Sequence, residues 1–143
     1  MGENELIEQA LELEWPWYVE RTLLDHGSRE LVVHLDFERG GTFTCRACDT
    51  NGCKAYDTAT KRWRHLDFMG YRTILQVPSP RVECPTCGVR QAVLPWAWVR
   101  HRLTREFEEY VVKLAREMSV RAVARVVGEH DTRLLRVIKS DAM

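Results

Sequence analysis

Two short stretches decide the fold of this chain: Cys45-Arg46-Ala47-Cys48 and Cys84-Pro85-Thr86-Cys87-Gly88. In each stretch a two-residue spacer lets both sulfurs face one ion, so four thiolates in two pairs can surround one Zn²⁺ tetrahedrally. Gly88 permits a tight turn after the second pair, in which backbone N–H groups point at the sulfurs. We therefore predict one structural zinc ion, bound by Cys45, Cys48, Cys84 and Cys87.

The two pairs are separated by 35 residues, which is longer than the usual short spacing and fits β-hairpins inserted as in a zinc ribbon. Free buried thiols in a reduced chain are the alternative. A redox role is weaker, since no βαβ pattern surrounds either pair. An odd number of cysteines and the lack of a signal-peptide pattern argue against extracellular disulfides. We expect the fifth cysteine, Cys53, to be a spare thiol.

Hydrophobic patterning predicts a β-rich first part of the chain. A short acidic helix is expected over Asn4–Leu13, before the Trp15-Pro16 step. Runs of β-branched and aromatic residues then alternate with turn signals such as Met69-Gly70. The expected strands are Trp17–Leu24, Glu30–Phe37, Arg62–Phe68, Tyr71–Val77 and Val89–Leu94.

The hydrophobic period becomes helical after residue 103. Thr104 is expected to cap a first helix and Ser119 a second one over Val120–Val127, which ends at Gly128. A third helix is expected to start at Asp131 or Thr132. This spacing is typical of a helix-turn-helix, in which a glycine takes the positive φ of the sharp turn. A plain helical hairpin is the alternative.

These patterns together predict an α+β fold, in which a small zinc-ribbon-like β module is followed by a three-helix helix-turn-helix module. We expect three parts along the chain. Residues 1–38 form a leader of acidic helix and β-hairpin, residues 39–98 the zinc-ribbon-like module, and residues 99–143 the helix-turn-helix module. The longest apolar stretch, Ala92–Val99, has eight residues and contains a proline, so no membrane span is expected.

Charge is distributed unevenly although the net charge is zero. Between Lys61 and Arg105, nine lysines and arginines stand against two acidic residues. Such asymmetry suggests a face that binds a polyanion, with an ordinary solvated surface as the alternative. The last helix of a helix-turn-helix enters the major groove, where arginine can pair with guanine. The residues expected to contact DNA are Arg62, Arg64, His65, Arg72, Arg100, Arg102, Arg121, Thr132, Arg133, Arg136 and Lys139.

Three tryptophans interleave with these arginines: Trp63, Trp96 and Trp98. We expect them to anchor a small β core or a junction between modules, with contacts to DNA as the alternative. His65 and His101 are expected to contact phosphate or to pack, since four sulfurs are better zinc ligands.

The order of cysteine pair, hairpin, cysteine pair and helix-turn-helix resembles the N-terminal region of the bacterial insertion-sequence transposases of the ISL3 family. The matching stretches are Trp63–Asp67, Val82–Arg90, Leu94–Ala97, Leu103–Glu108 and Met118–Arg125. In that family a zinc-finger region and a helix-turn-helix bind the terminal inverted repeats, and a following DDE domain cleaves and transfers the strands. The resemblance implies that the four paired cysteines are the zinc positions and that Ser119–Ile138 is the helix-turn-helix.

The family's catalytic domain would begin where the chain ends, so we expect no enzyme activity and no catalytic residues here. The leading hypothesis is sequence-specific binding of double-stranded DNA at transposon terminal inverted repeats, by a transposase N-terminal region or a truncated transposase. The expected location is the bacterial cytoplasm, at the nucleoid, with no small-molecule substrate. A homodimer is left open, because the acidic helix could mediate self-association.

Two other classes of function are kept as alternatives. The first is a zinc-stabilised module for protein interaction or transcription regulation, with exposed Trp96 and Trp98 as its anchors. The second is an enzyme that uses the Cys-x-x-Cys thiols for redox chemistry.

Overall fold

A computed structural model describes residues 2–98 and 101–142, and this part of the chain is an α+β fold. One mixed sheet precedes three of its helices. The strands are β1 Trp17–Asp25, β2 Glu30–Phe37, β3 Thr42–Phe43, β4 Cys53–Phe68, β5 Tyr71–Cys84 and β6 Gly88–Gln91. The helices are α1 Glu3–Ala10, α2 Arg105–Ala115, α3 Val120–Val127 and α4 Asp131–Ala142. None of the described helices is long and apolar enough to cross a membrane.

The long strand β5 organises the sheet. One of its edges pairs antiparallel with β4. The other edge pairs first with β2, in parallel from Glu30 opposite Arg72 to His34 opposite Gln76, and then with β6. The order is β1-β2-β5-β4-β3, with β6 beside the end of β5. The leader hairpin β1–β2 is thus hydrogen-bonded into the same sheet as the cysteine-bearing strands, while the three-part division of the chain stays a prediction.

The central hairpin turns at Met69-Gly70 as predicted, with φ angles of 49° and 82° at these residues. Both of its strands are longer than predicted, because β4 begins at Cys53 and β5 continues to Cys84. The first half of β4 is exposed and polar, and prolines at 78 and 80 interrupt the strand signal of β5. Pairing with a partner strand, not local propensity, therefore extends this hairpin.

Interlocking aromatic rings fill the core of the sheet. Trp96 is 1% exposed, and its ring meets Trp17 edge to face at 4.8 Å and Trp63 at 5.7 Å between centroids. Phe37 and Phe43 pack edge to face against Trp17 on its other sides. The expectation that Trp63 and Trp96 anchor a core is confirmed. The expectation of Trp96 as an exposed anchor for a partner is wrong, whereas Trp98 is 49% exposed.

The predicted caps are found at the start of α2 and at both ends of α3, whereas α4 continues past the predicted Ile138 to Ala142. The Thr104 hydroxyl accepts a hydrogen bond from the Phe107 N–H at 3.3 Å, and Ser119 accepts one from Ala122 at 3.1 Å. Gly128 ends α3 with φ 72°, in the left-handed region. A second core lies between α2, α3 and α4 and consists of Leu103, Phe107, Val111, Val123, Val127, Leu134 and Val137.

We expect Gly128→Ala to lower the free energy of unfolding by about 1–2 kcal/mol, because an L side chain is disfavoured at this φ. A Cβ at residue 128 would approach only Arg72 Nη1, at 3.9 Å, so the cost is conformational and not steric. Urea unfolding measures it. Gly2→Ala is the control, because φ of −85° suits any residue. Equal stability of the two variants would contradict the turn's requirement for glycine.

Candidate zinc centre and nucleic-acid interface

The four paired cysteines converge at one point. Their Sγ atoms all lie within 4.8 Å of one another, and those of Cys48 and Cys84 are 3.5 Å apart. Sulfurs bound tetrahedrally to zinc at 2.3 Å are about 3.8 Å apart, so this spread fits one ion. A set of four thiols is the donor chemistry of a closed structural zinc site. The predicted ligands Cys45, Cys48, Cys84 and Cys87 are those that the fold brings together.

Backbone hydrogen bonds hold the first cysteine pair in a tight turn. The Cys45 carbonyl accepts from the Asp49 N–H at 2.8 Å, and the Cys45 N–H donates to Thr50 O at 2.9 Å. Neighbouring bonds tie this turn to the end of β6, from Arg46 N–H to Gln91 O, and to the chain just after it, from Val93 N–H to Thr44 O. A zinc ion here would therefore connect the β3–β4 turn to the β5–β6 turn.

The second pair occupies the β5–β6 turn, where Gly88 lies opposite Cys84 and has φ 80°, as its predicted role requires. Backbone N–H groups of Cys87 and Thr86 lower the pKa of Cys84 to about 6, because they stabilise its thiolate. Hydrogen bonding with Cys48, followed by burial, raises the pKa of Cys87 to about 12. Four thiols this close cannot all ionise without a cation, and Zn²⁺ supplies that charge.

The fifth cysteine is outside this cluster. Cys53 is buried at the start of β4 and donates its S–H to Thr50 O, with 3.4 Å between sulfur and oxygen. Burial is the main cause that raises its pKa, which keeps the thiol protonated. Cys53 therefore packs beneath the first cysteine turn and is not one of the four clustered ligands.

A buried ionic cluster joins the helices to the sheet, and Glu129 is its centre. This residue follows Gly128 in the turn between α3 and α4, and its side chain is 4% exposed. Its carboxylate accepts from Arg64 Nη1 of β4 at 2.7 Å and from Arg133 Nη1 of α4 at 2.7 Å. It also accepts from Arg72 of β5. We call Glu129 with Arg64, Arg72 and Arg133 the Glu129 cluster.

Arg64 is buried and paired within the protein, whereas the sequence predicted that it is exposed and contacts DNA. Its side chain is 3% exposed, and besides Glu129 it donates to Asp67 at 2.7 Å and to the Val127 carbonyl at 2.8 Å. Its guanidinium also lies over the Phe107 ring, 4.7 Å from the centroid. We therefore correct the expectation that Arg64 contacts DNA phosphate, because the residue is enclosed and its charge is compensated within the protein.

Other predicted DNA contacts also have partners inside the chain. The His65 Nδ1 atom is 2.7 Å from the Thr104 hydroxyl, and burial lowers the pKa of His65, which disfavours a cationic ring. Arg72 donates to Gly128 O at 2.8 Å, and Arg133 donates to Arg102 O at 3.1 Å. Arg62 pairs with Glu30 at 2.9 Å. Each of these side chains thus has a partner within the protein, which the sequence alone does not indicate.

The remaining predicted DNA contacts divide into exposed residues and one that is not described. Arg100 lies outside the described residues. The exposed ones are Arg102, Arg121, Thr132, Arg136 and Lys139. Contact of any of these residues with DNA stays a prediction. Sequence reasoning missed Glu129 as the central anion, because it resembled an ordinary acidic residue at a helix start.

Comparison with known proteins gives two family matches. Residues 42–92 match a model described as the zinc-finger of transposase IS204/IS1001/IS1096/IS1165. Residues 92–142 match the helix-turn-helix domain of transposase family ISL3. The two matches together run from the strand before the first cysteine pair to the end of α4.

Curated relatives are similar over most of the chain. It is 30% identical over 125 residues to the transposase for insertion sequence element IS1557 of Mycobacterium tuberculosis, covering 75% of this chain and 28% of the relative. It is 29% identical over 126 residues to the transposase for insertion sequence element IS1001 of Bordetella parapertussis, covering 86% and 29%. The chain spans less than a third of the length of these relatives. No solved structure matches it.

We expect Cys84→Ser to lose the zinc and to unfold the sheet around the two cysteine turns, because binding energy of a structural zinc is folding energy. Metal content per chain and thermal melting measure the effect. Cys53→Ser is the matched control, and it should retain one zinc per chain. A Cys84→Ser protein with full zinc content and unchanged melting would contradict the assignment.

We expect Glu129→Ala to cost about 3–5 kcal/mol of stability, since it breaks a buried ion pair and leaves the buried Arg64 guanidinium with only the half-exposed Asp67 carboxylate. Urea unfolding is the measurement. Glu30→Ala removes the carboxylate of the exposed Arg62 pair and should cost no more than about 1 kcal/mol. Similar costs for the two variants would show that the Glu129 cluster is not a buried constraint.

Proposed function

Residues 42–142 are the zinc-finger and helix-turn-helix regions of an ISL3-family transposase, and from this premise we propose that the chain binds double-stranded DNA at transposon terminal inverted repeats. In this proposal α2, α3 and α4 act as one helix-turn-helix unit and the cysteine turns as a zinc ribbon. DNA binding, not strand cleavage, is the contribution of these residues. The proposed location is the bacterial nucleoid, and a homodimer stays a prediction.

The arrangement of α4 is the observation that carries this proposal. Leu134 and Val137 are buried against α2 and α3, so the opposite side of the helix faces outward. Thr132, Arg136 and Lys139 lie on that outward side and are exposed. A helix after a glycine turn, with a polar and basic outer face, suits insertion into the major groove.

The Glu129 cluster, on the other side of α4, also supports the proposal that this helix inserts into the major groove. Arg133 shares the first turn of α4 with Thr132, but it points back to Glu129 and to Arg102 O. The helix is thereby oriented relative to β4 and β5 before any DNA is bound. Pre-orientation of this kind reduces the ordering cost of binding.

Roles within α4 follow from this geometry. Arg136 is in the middle of the exposed face, and we assign to it a base contact such as the bidentate pairing with guanine. Lys139 is one turn further along, and we assign to it a phosphate contact that positions the helix without reading sequence. Arg133 is assigned to the support of α4 and not to base readout.

We expect Arg136→Ala to reduce the preference for terminal-repeat over random duplex by about 5- to 150-fold, which corresponds to about 1–3 kcal/mol for one bidentate pairing with a base. Lys139→Ala should weaken both duplexes alike. Fluorescence anisotropy with labelled DNA at several salt concentrations measures both.

Arg39→Ala is the control for loss of one positive charge, because Arg39 is exposed in the connection between β2 and β3 and not in α4. It should leave the preference unchanged. Equal affinity of the unaltered chain for terminal-repeat and random duplex, or binding that does not weaken with salt, would refute the proposed function.

A further inference from the structure

A cleft lies between the first cysteine turn, β4 and the connection from β6 to α2. Arg46, Lys61 and Arg102 stand around it, and Trp63 and Ser79 form part of its wall. Its volume is about 130 Å³, which is enough for a phosphate group and bound water molecules. We call it the basic cleft.

The three cations of the basic cleft differ from five arginines elsewhere in the fold that are paired with carboxylates. Arg62, Arg64, Arg72, Arg81 and Arg133 each pair with a carboxylate. Within residues 2–98 and 101–142, no carboxylate lies within ion-pair distance of Arg46, Lys61 or Arg102, and the described wall contains no aspartate or glutamate. Three positive charges therefore face this cleft without a carboxylate partner among the described residues.

Like charges facing a shared space repel, and an anion between them relieves the repulsion. The pKa of Lys61 reflects this environment, since it is lowered first by burial and then by Arg102 and Arg46. An anion bound between Lys61 and the two arginines would offset this repulsion.

Two of the cations are held in place by the fold. The Arg102 guanidinium lies over the Trp63 ring, 5.3 Å from its centroid. Arg46 lies inside the first Cys-x-x-Cys turn, and its N–H donates to Gln91 O at 3.1 Å. The zinc site thus fixes the backbone that carries one of the three charges.

The basic cleft is connected to α4. The Arg102 carbonyl accepts from Arg133 Nη2, in the first turn of α4, at 3.1 Å, and from the Arg64 N–H at 2.9 Å. If α4 lies in the major groove of a DNA duplex, the sugar-phosphate backbone at the edge of that groove is within reach of residues beside the first turn of α4.

We infer that the basic cleft is a second DNA-contact site, in which Arg46, Lys61 and Arg102 bind a backbone phosphate next to the segment that α4 reads. The inference rests on the proposed function. It gives the zinc a part in binding, because the ion holds the turn that presents Arg46. Phosphate contact carries no sequence information, so this site supplies affinity and register.

The test compares two double variants of the full chain, each without two positive charges. Arg46→Gln with Lys61→Gln changes the basic cleft. Lys54→Gln with Arg90→Gln changes exposed residues of the same sheet that do not line the cleft, and serves as the control. Zinc content and melting verify the fold, and if the first pair loses zinc, Lys61→Gln alone carries the test.

The cleft variant should bind terminal-repeat and random duplex more weakly by the same factor. Its slope of log affinity against log salt should be shallower by about 0.9 for each phosphate that the variant no longer neutralises. Ethylation interference should show at least one phosphate whose modification impairs the control protein but not the cleft variant.

The outcomes separate this inference from the proposed function. If the cleft variant keeps the slope and the interference pattern of the control, while Arg136→Ala still reduces sequence preference, the inference is wrong and the proposed function stands. If the unaltered chain binds neither duplex, both are wrong. A change of sequence preference in the cleft variant would also overturn the inference, because it would indicate base contact.

Discussion

The ion pair between Glu129 and Arg64 determines how the two halves of this protein fit together. One residue belongs to the turn between α3 and α4, and the other to the central hairpin, 65 positions earlier. Both side chains are almost completely buried, so neither charge can turn to water without moving a helix away from the sheet. A desolvated pair of this type is a weak source of stability but a strict geometric condition.

Several neighbouring contacts depend on that condition. Arg72 and Arg133 approach the same carboxylate, and Arg64 also binds Val127 O at the end of α3. The backbone adds to this, since Arg64 exchanges hydrogen bonds with Arg102 O and Thr104 N–H, where α2 begins. The start of α2, the turn before α4 and the two longest strands are therefore fixed to one another around one anion.

Local signals explain what the sequence reveals of this arrangement. Cysteine spacing fixes which sulfurs can share an ion, and the caps at Thr104, Ser119 and Gly128 depend only on residues a few positions away. The zinc ligands, the starts of α2 and α4 and both bounds of α3 are accordingly predictable. Non-local pairing explains the rest. Nothing near Arg64 indicates that its charge is balanced by Glu129, and nothing in β2 alone indicates a parallel partner in β5. A count of basic residues cannot separate bound arginines from free ones, and this is why the predicted DNA-contact set includes one buried residue and several partnered ones.

The parallel pairing of β2 with β5 determines which residues a fragment of this protein needs in order to fold. A fragment that started at residue 42, where the zinc-finger match begins, would remove β2 and leave one edge of β5 unpaired at Arg72–Gln76, with β4 still on the other edge. It would also remove Trp17, whose ring covers Trp96. An exposed strand edge beside an uncovered tryptophan promotes aggregation. The acidic leader is thus part of the minimal folding unit, and a transplanted or shortened version of the module must carry it along.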